Sequence, residues 1–138
     1  MKIAIDCEFN EFGGDLISMG LVAEDGREWY EVLPCPNPGK WVEDHVIPIL
    51  GRKPISKEQF QARLQQFLMQ FETIHLISDW PEDIKFFCES LITGQGTRLN
   101  TPPLQMSIFR FDAESELPHN ALSDARGIMK YLLEQTVC

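Results

Sequence analysis

The stretch 3–9, Ile-Ala-Ile-Asp-Cys-Glu-Phe, combines a strand-like apolar run with two acids that lie two residues apart. The run is apolar enough for a central strand, and the period of two places Asp6 and Glu8 on the same face. Two neighbouring carboxylates repel each other, so a positive group is expected between them. The alternative is that this strand is exposed on that face and that both acids are solvated.

Four further strands are predicted around this one. Two follow at 16–23 and 29–33, and the link Glu24-Asp25-Gly26-Arg27 between them is typical of a hairpin, because Gly tolerates the positive φ of a tight turn. The other two are expected at 73–78 and 104–109. The proline-rich stretch 34–54 is expected to be a long loop with one helical turn at 42–47.

Three longer helices are predicted from their start signals. The first begins with a capping box formed by Ser56 and Gln59, followed by an apolar face that reaches Phe71. The second has Pro81 at its first position, and the third is capped by Asn120. The residues expected on the buried face of the second helix are Ile84, Phe87, Cys88 and Leu91. Residues 94–103 are expected to be a linker.

This order of elements predicts a single α/β domain over residues 1–138, with a mixed five-stranded sheet and helices on its faces. The composition is that of a globular protein, with 43% hydrophobic and 24% charged residues. The net charge of −9 excludes a non-specific coat of nucleic acid, since that role needs a basic face.

The cysteines and the apolar runs exclude other classes of protein. None of the four cysteines forms a CxxC pair or has a histidine at zinc-finger spacing, so no structural zinc site is expected. Cys7 and Cys88 lie in apolar runs and are expected to be buried. No signal peptide is evident, and no apolar stretch approaches the ~18 residues of a membrane span. We therefore expect a cytoplasmic protein without a membrane partner.

Two further segments place acids at predicted helix starts. The first is Asp79-Trp80-Pro81-Glu82-Asp83, and the second is His119-Asn120-Ala121-Leu122-Ser123-Asp124. Taken singly, these acids could merely complement a helix dipole, and the histidine could merely end a loop. Ser123 is not expected to be the nucleophile of a hydrolase, because no nucleophile elbow surrounds it.

Taken together, the three acidic segments resemble the DEDDh exonucleases, the group of RNase T, oligoribonuclease and the proofreading exonucleases, which has an RNase H-like fold. The ordered set is Asp-x-Glu on the first strand, an Asp opening a middle helix, and His-x-x-x-x-Asp at the last helix. The runs 16–22, 25–30, 41–42 and 45–48 are similar to compact RNase T-like exoribonucleases of bacteria and phages, so the resemblance spans nearly the whole chain.

The resemblance implies a metal-dependent 3′→5′ exoribonuclease that converts single-stranded RNA to nucleoside 5′-monophosphates. Two Mg²⁺ or Mn²⁺ ions would serve as cofactors, because hard cations prefer oxygen ligands and two of them can activate the water and stabilise the leaving oxygen. The implied general base is His119. The implied metal ligands are Asp6, Glu8, Asp83 and Asp124.

Several alternatives remain open. Asp83 shares a helix face with Phe87 and is preferred over Asp79 as the ligand, whereas Asp79 is expected to be a cap or an outer partner near the substrate. Phe9 could stack on the terminal base or belong to the core. Many family members have Thr where this chain has Phe9, which leaves the choice between RNA and DNA open.

The partner and the assembly follow from the same resemblance. Two divalent ions would leave the chain acidic, which suggests few phosphate contacts and short or single-stranded substrates, with RNA 3′ ends preferred. A homodimer is expected only because relatives are often homodimers. The competing functions are a 3′→5′ exonuclease acting on single-stranded DNA and a non-catalytic domain that binds nucleic acid or protein. Against the latter, all five active-site residue types are present.

Overall fold

The computed structural model describes residues 1–110 and 112–135. The strands within these ranges are Lys2–Phe9 (β1), Leu16–Ala23 (β2), Glu28–Val32 (β3), Ile74–Ser78 (β4), Ile92–Gly94 (β5), Thr97–Arg98 (β6) and Leu104–Ile108 (β7). The helices are Lys40–His45 (α1), Lys57–Leu68 (α2), Pro81–Ser90 (α3) and Ala121–Gln135 (α4), with a short 3₁₀ helix at Ile47–Ile49. The predicted helical turn in the proline-rich loop therefore exists as α1 and the 3₁₀ helix.

The main sheet has five strands in the order β3-β2-β1-β4-β7. The N-terminal strands form an antiparallel meander, since β2 pairs with both β1 and β3 in that sense. Strand β4 pairs in parallel with β1 on one side and with β7 on the other. The prediction of a mixed five-stranded α/β sheet is confirmed, and the arrangement is consistent with an RNase H-like fold.

The two faces of β1 are covered by different helices. Ile3, Ile5 and Cys7 belong to the main apolar cluster, which also contains buried side chains of α2 and α3. Ala4 belongs instead to a smaller cluster with α4, in which Ala125 is one of the helical residues. Because side chains alternate along a strand, Asp6 and Glu8 share the face of Ala4, the one that α4 covers.

The starts of α2 and α4 are capped as predicted. Ser56 and Gln59 form the reciprocal capping box, in which each side chain accepts a hydrogen bond from the backbone N–H of the other residue. At α4, the Oδ1 atom of Asn120 accepts a hydrogen bond from the N–H of Ser123 at 3.0 Å. These side chains satisfy amides that the helix itself leaves without partners.

The predicted buried face of helix α3 is confirmed at three of its four positions and wrong at one. The buried residues of the helix are Asp83, Phe86, Phe87 and Ser90. The prediction that Cys88 is buried is wrong, because its side chain is exposed and its sulfur lies 3.7 Å from that of Met106. Phe87 and Leu91 are buried as predicted, and Ile84 is partly buried against the main cluster. The centre of the buried face lies at Phe86 and Phe87, and this leaves Cys88 on the exposed side of the helix.

The segment predicted to be a linker contains structure. Strands β5 and β6 form a small antiparallel hairpin, and the turn between them includes Gly96 at φ +73°. Beyond it, Leu99 is buried, and its N–H donates to the carbonyl of Leu91 at 2.8 Å. Gly96 allows the tight turn of this hairpin because glycine tolerates a positive φ. None of the helices in the described ranges has the length and apolar character that a membrane crossing requires.

Candidate metal centre

Asp6 and Glu8 lie in the middle of the sheet, on a strand that has neighbours on both sides. On β2, Asp6 is opposite Gly20 and Glu8 is opposite Ser18. On the other side, the ladder between β1 and β4 ends at Ala4 and Ile77. Further along β1, the N–H of Cys7 donates to Asp83 in the first turn of α3. The alternative that β1 is exposed on the face of Asp6 and Glu8 is therefore wrong, because α4 covers that face.

The acids form two groups that share one member. Carboxylate oxygens of Asp6, Glu8 and Asp124 lie within 4.8 Å of one another, and so do oxygens of Asp6, Asp79 and Asp83. The structure thus brings together all four acids predicted as metal ligands, with Asp79 as a fifth. Each group offers only oxygen donors, the type that Mg²⁺ and Mn²⁺ prefer.

Asp83 is held in place by the sheet itself. Its side chain is almost fully buried, with Oδ1 accepting a hydrogen bond from the N–H of Cys7 at 3.1 Å and Oδ2 accepting one from the hydroxyl of Ser78 at 2.7 Å. Burial raises the pKa of Asp83 to about 7, although both hydrogen bonds act to lower it. The two hydrogen bonds therefore orient Asp83 but do not offset the cost of burying its negative charge.

The other two central acids are also electrostatically uncompensated. Burial raises the pKa of Asp6 well above its usual range, and the charge of Asp83 raises it further. Burial likewise raises the pKa of Glu8 to about 8, with Asp124 as the next cause. The buried Oδ2 atom of Asp6 has no hydrogen-bond partner among the described residues. An uncompensated buried oxygen between like charges fits a site for divalent cations.

His119 lies beside this centre but belongs to neither acidic group. Its backbone adopts φ +72°, and its N–H donates to Oδ2 of Asp124 at 3.2 Å. Its exposed ring meets the ring of Trp41 edge-on, with the centroids 4.9 Å apart. On Trp41 the ring of His45 is stacked at 4.6 Å. His119 is thus placed next to a candidate ligand without being one.

The two residues predicted near the substrate have different environments. Phe9 is partly buried, and its ring centroid lies 5.3 Å from that of Phe86, next to the core. Asp79 belongs to the second acidic group, and burial raises its pKa. Of the two roles expected for Asp79, the cap is wrong, because Trp80 occupies the N-cap position and no side chain caps this helix within the described chain. The role of an outer partner stays a prediction.

Sequence reasoning missed three contributors to this region. Ser78 ends β4 five residues before Asp83, and a hydroxyl at that position is a signal that could have been recognised. Tyr30 and Trp41 are distant in sequence from the residues they contact, Asn120 and His119. No local pattern indicates those two contacts.

Comparison with known proteins gives a partial similarity. The chain is similar to two curated proteins, each named 3'-5' exoribonuclease, from the CDC 1551 / Oshkosh and ATCC 25618 / H37Rv strains of Mycobacterium tuberculosis. In both cases the identity is 42% over an alignment of 77 residues, and the coverage is 49% of this chain and 46% of the relative. The similarity thus spans about half the length of those relatives. No protein-family model matches the chain.

Proposed function

We propose that residues 1–138 form one 3′→5′ exonuclease domain, which removes nucleoside 5′-monophosphates from the 3′ end of single-stranded RNA. The observation that carries the proposal is the sharing of Asp6 between two groups of oxygen ligands. The names of the two partial relatives support the same activity and the preference for RNA.

The proposed cofactors are two Mg²⁺ or Mn²⁺ ions. Asp6, Glu8 and Asp124 would hold one ion, and Asp6 and Asp83 would hold the other, with Asp79 at its outer side. When bound, such ions lower the pKa of the attacking water and stabilise charge on the departing 3′ oxygen. Asp6 is central to the proposal, since it belongs to both groups and its buried Oδ2 atom has no hydrogen-bond partner among the described residues.

The chain's own residues supply the remaining chemistry. We assign to His119 the role of accepting a proton from the attacking water, because its backbone is tied to Asp124 and its ring is exposed. Water adds to the phosphorus, the 3′ oxygen of the preceding nucleotide leaves and is protonated, and one nucleoside 5′-monophosphate is released. The hydrogen bonds from Cys7 and Ser78 keep Asp83 in one orientation throughout.

The test uses 5′-labelled RNA and DNA oligomers of the same sequence, with Mg²⁺ or Mn²⁺ and with excess chelator. We expect a ladder of shortened RNA that requires the metal, released 5′-monophosphates, and no cleavage of circular RNA. The control is Asp6→Asn, purified in the same way, which should be inactive because one carboxylate of both groups is lost.

Each alternative gives a different result in this assay. Faster digestion of DNA would replace the proposal with the proofreading-like activity. Binding of the oligomers without digestion would indicate the non-catalytic domain. Cleavage of circular RNA would exclude the exonuclease, and full activity in excess chelator would exclude the metal-dependent mechanism.

A further inference from the structure

Three residues on neighbouring strands form a row beneath the start of α4. Asp6 on β1 is directly opposite Gly20 on β2, and Gly20 is directly opposite Tyr30 on β3. Residues that are directly opposite in a sheet project to the same face. The carboxylate of Asp6, the bare backbone of Gly20 and the phenol of Tyr30 therefore share the face that α4 covers.

The middle of this row allows the helix to approach the sheet closely. A Cβ atom added to Gly20 would lie 2.6 Å from the carbonyl oxygen of Ala121 and 2.7 Å from the Cα atom of Leu122. Both neighbours are backbone atoms, so the clash could be relieved only by moving the first turn of α4. Asp124 belongs to that turn and would move with it.

The far end of the row holds the residue that begins α4. The hydroxyl of Tyr30 donates to the carbonyl of Leu50 at 2.8 Å and lies 3.5 Å from Nδ2 of Asn120. The same Nδ2 atom donates to the carbonyl of Ile49 at 3.0 Å. Because Asn120 is also the cap of α4, these bonds join the helix start to β3 and to the last residue of the 3₁₀ helix.

We propose that Gly20 and Tyr30 are positioning residues for the metal centre. Gly20 sets the height of the first turn of α4 above the sheet, and Tyr30 sets its lateral position through Asn120. Together they bring Asp124 to Asp6 and Glu8. The inference rests on the proposed function, in which Asp124 is a metal ligand.

The test measures Mn²⁺ affinity of the whole chain by titration calorimetry, which does not depend on activity. Gly20→Ala, Gly20→Val and Tyr30→Phe are compared with the unchanged protein. We expect Mn²⁺ binding to weaken by roughly 10-fold for Gly20→Ala, as for loss of a residue that orients a ligand, and by more for Gly20→Val. Tyr30→Phe deletes one hydroxyl and keeps the ring, so it serves as the test if a larger side chain at position 20 prevents folding.

Two comparisons separate positioning from general destabilisation. Met129→Ala removes a buried side chain from the same interface of helix and sheet, well beyond the first turn, and should lower stability without weakening Mn²⁺ binding. In an Asp124→Asn background, Gly20→Ala should have no further effect on Mn²⁺ affinity, because the ligand through which it acts is already lost.

The outcomes distinguish the two proposals. If the unchanged chain binds no Mn²⁺, the proposed function fails and the inference fails with it. If the unchanged chain binds Mn²⁺ but Gly20→Ala and Tyr30→Phe bind it equally well, only the positioning role is overturned. Additive losses for Gly20→Ala and Asp124→Asn would also overturn it, since Gly20 would then act elsewhere.

Discussion

The hydroxyl of Ser78 lies 2.7 Å from Oδ2 of Asp83 and connects the last residue of β4 to the first turn of α3. On the other side of the same carboxylate, the N–H of Cys7 on β1 donates to Oδ1. Two adjacent parallel strands therefore orient one side chain of the helix that follows them. The orientation of Asp83 is thus set by hydrogen bonds within the protein.

Replacing Ser78 should weaken metal binding through Asp83. The hydrogen bond from Ser78 lowers the pKa of Asp83, so its removal raises that pKa further and leaves less of the carboxylate ionised at neutral pH. We expect Ser78→Ala to weaken Mn²⁺ binding by roughly 10-fold at pH 7. The difference in Mn²⁺ affinity between Ser78→Ala and the unchanged chain should shrink at pH 9, where the carboxylate of Asp83 is ionised in both proteins.

The matched control for this measurement is Ser90→Ala. Ser90 is a buried serine of α3 whose hydroxyl donates to the carbonyl of Phe86 at 2.7 Å, away from the acids. Calorimetric titration should give Ser90→Ala the Mn²⁺ affinity of the unchanged chain. Equal weakening by both substitutions would show that a shift of α3, and not the hydrogen bond to Asp83, is responsible.

Substitution of the two acids around α3 should distinguish their roles. Asp83 is buried and held by two donors, whereas Asp79 is half-buried and lies ahead of the helix. We expect Asp83→Asn to abolish hydrolysis of the RNA oligomer with the fold intact, and Asp79→Asn to leave a measurable rate. Circular dichroism of both variants checks the fold. The reverse order of activities would move the ligand assignment to Asp79.

His119→Ala should lower turnover by roughly 10² to 10⁴, the usual effect of losing a general base. Mn²⁺ affinity should stay unchanged, because His119 is in neither acidic group. The control is His45→Ala, which removes the ring stacked on Trp41 and should leave turnover as it was. A His119→Ala protein with full turnover would rule out this residue as the base.

The stability of the metal-free protein should fall as the pH rises from about 5 to about 8. Burial raises the pKa of Glu8 from 4.5 to about 8 and that of Asp83 from 3.8 to about 7. In this window the folded chain holds protons that the unfolded chain has lost, so raising the pH favours unfolding. Neighbouring arginines lower the pKa values of Glu28 and Asp25. These two acids therefore do not contribute to the change in stability between pH 5 and pH 8.

Thermal melts in chelator at pH 5.5 and pH 8.5 check this prediction. The melting temperature should be lower at pH 8.5 than at pH 5.5. Glu8→Gln should reduce this difference in melting temperature between the two pH values. Mg²⁺ should raise the melting temperature more at pH 8.5 than at pH 5.5, because the ionised carboxylates bind it. A melting temperature that increases across this range without metal would contradict the prediction.

The parts of the fold that local patterns determine could be predicted from the sequence. The period of two in β1 places Asp6 and Glu8 on one face, and the structure brings them together with Asp124. The capping signals at Ser56 and Asn120 locate two helix starts, since a side chain and a nearby amide are enough to form a cap. The roles of the acids in binding metal stay predictions.

The parts that tertiary contacts determine could not be predicted. An apolar pattern alone suggested that Cys88 faces the core, whereas Phe86 and Phe87 fill the buried side of α3 and Cys88 is exposed. The hairpin of β5 and β6 was missed because glycine indicates both turns and flexible linkers. Gly20 carried no signal, since its importance depends on a helix that begins far along the chain.

The cover that α4 provides for β1 has a consequence for synthesis on the ribosome. Chains emerge N-terminus first, so the meander that carries Asp6 and Glu8 leaves the exit tunnel well before Asp124. Until α4 follows, Ala4 and Val22 remain without their helical partners, and the two acids face water. A nascent chain therefore has a stage at which most of its sheet residues are translated and the proposed active centre is still incomplete.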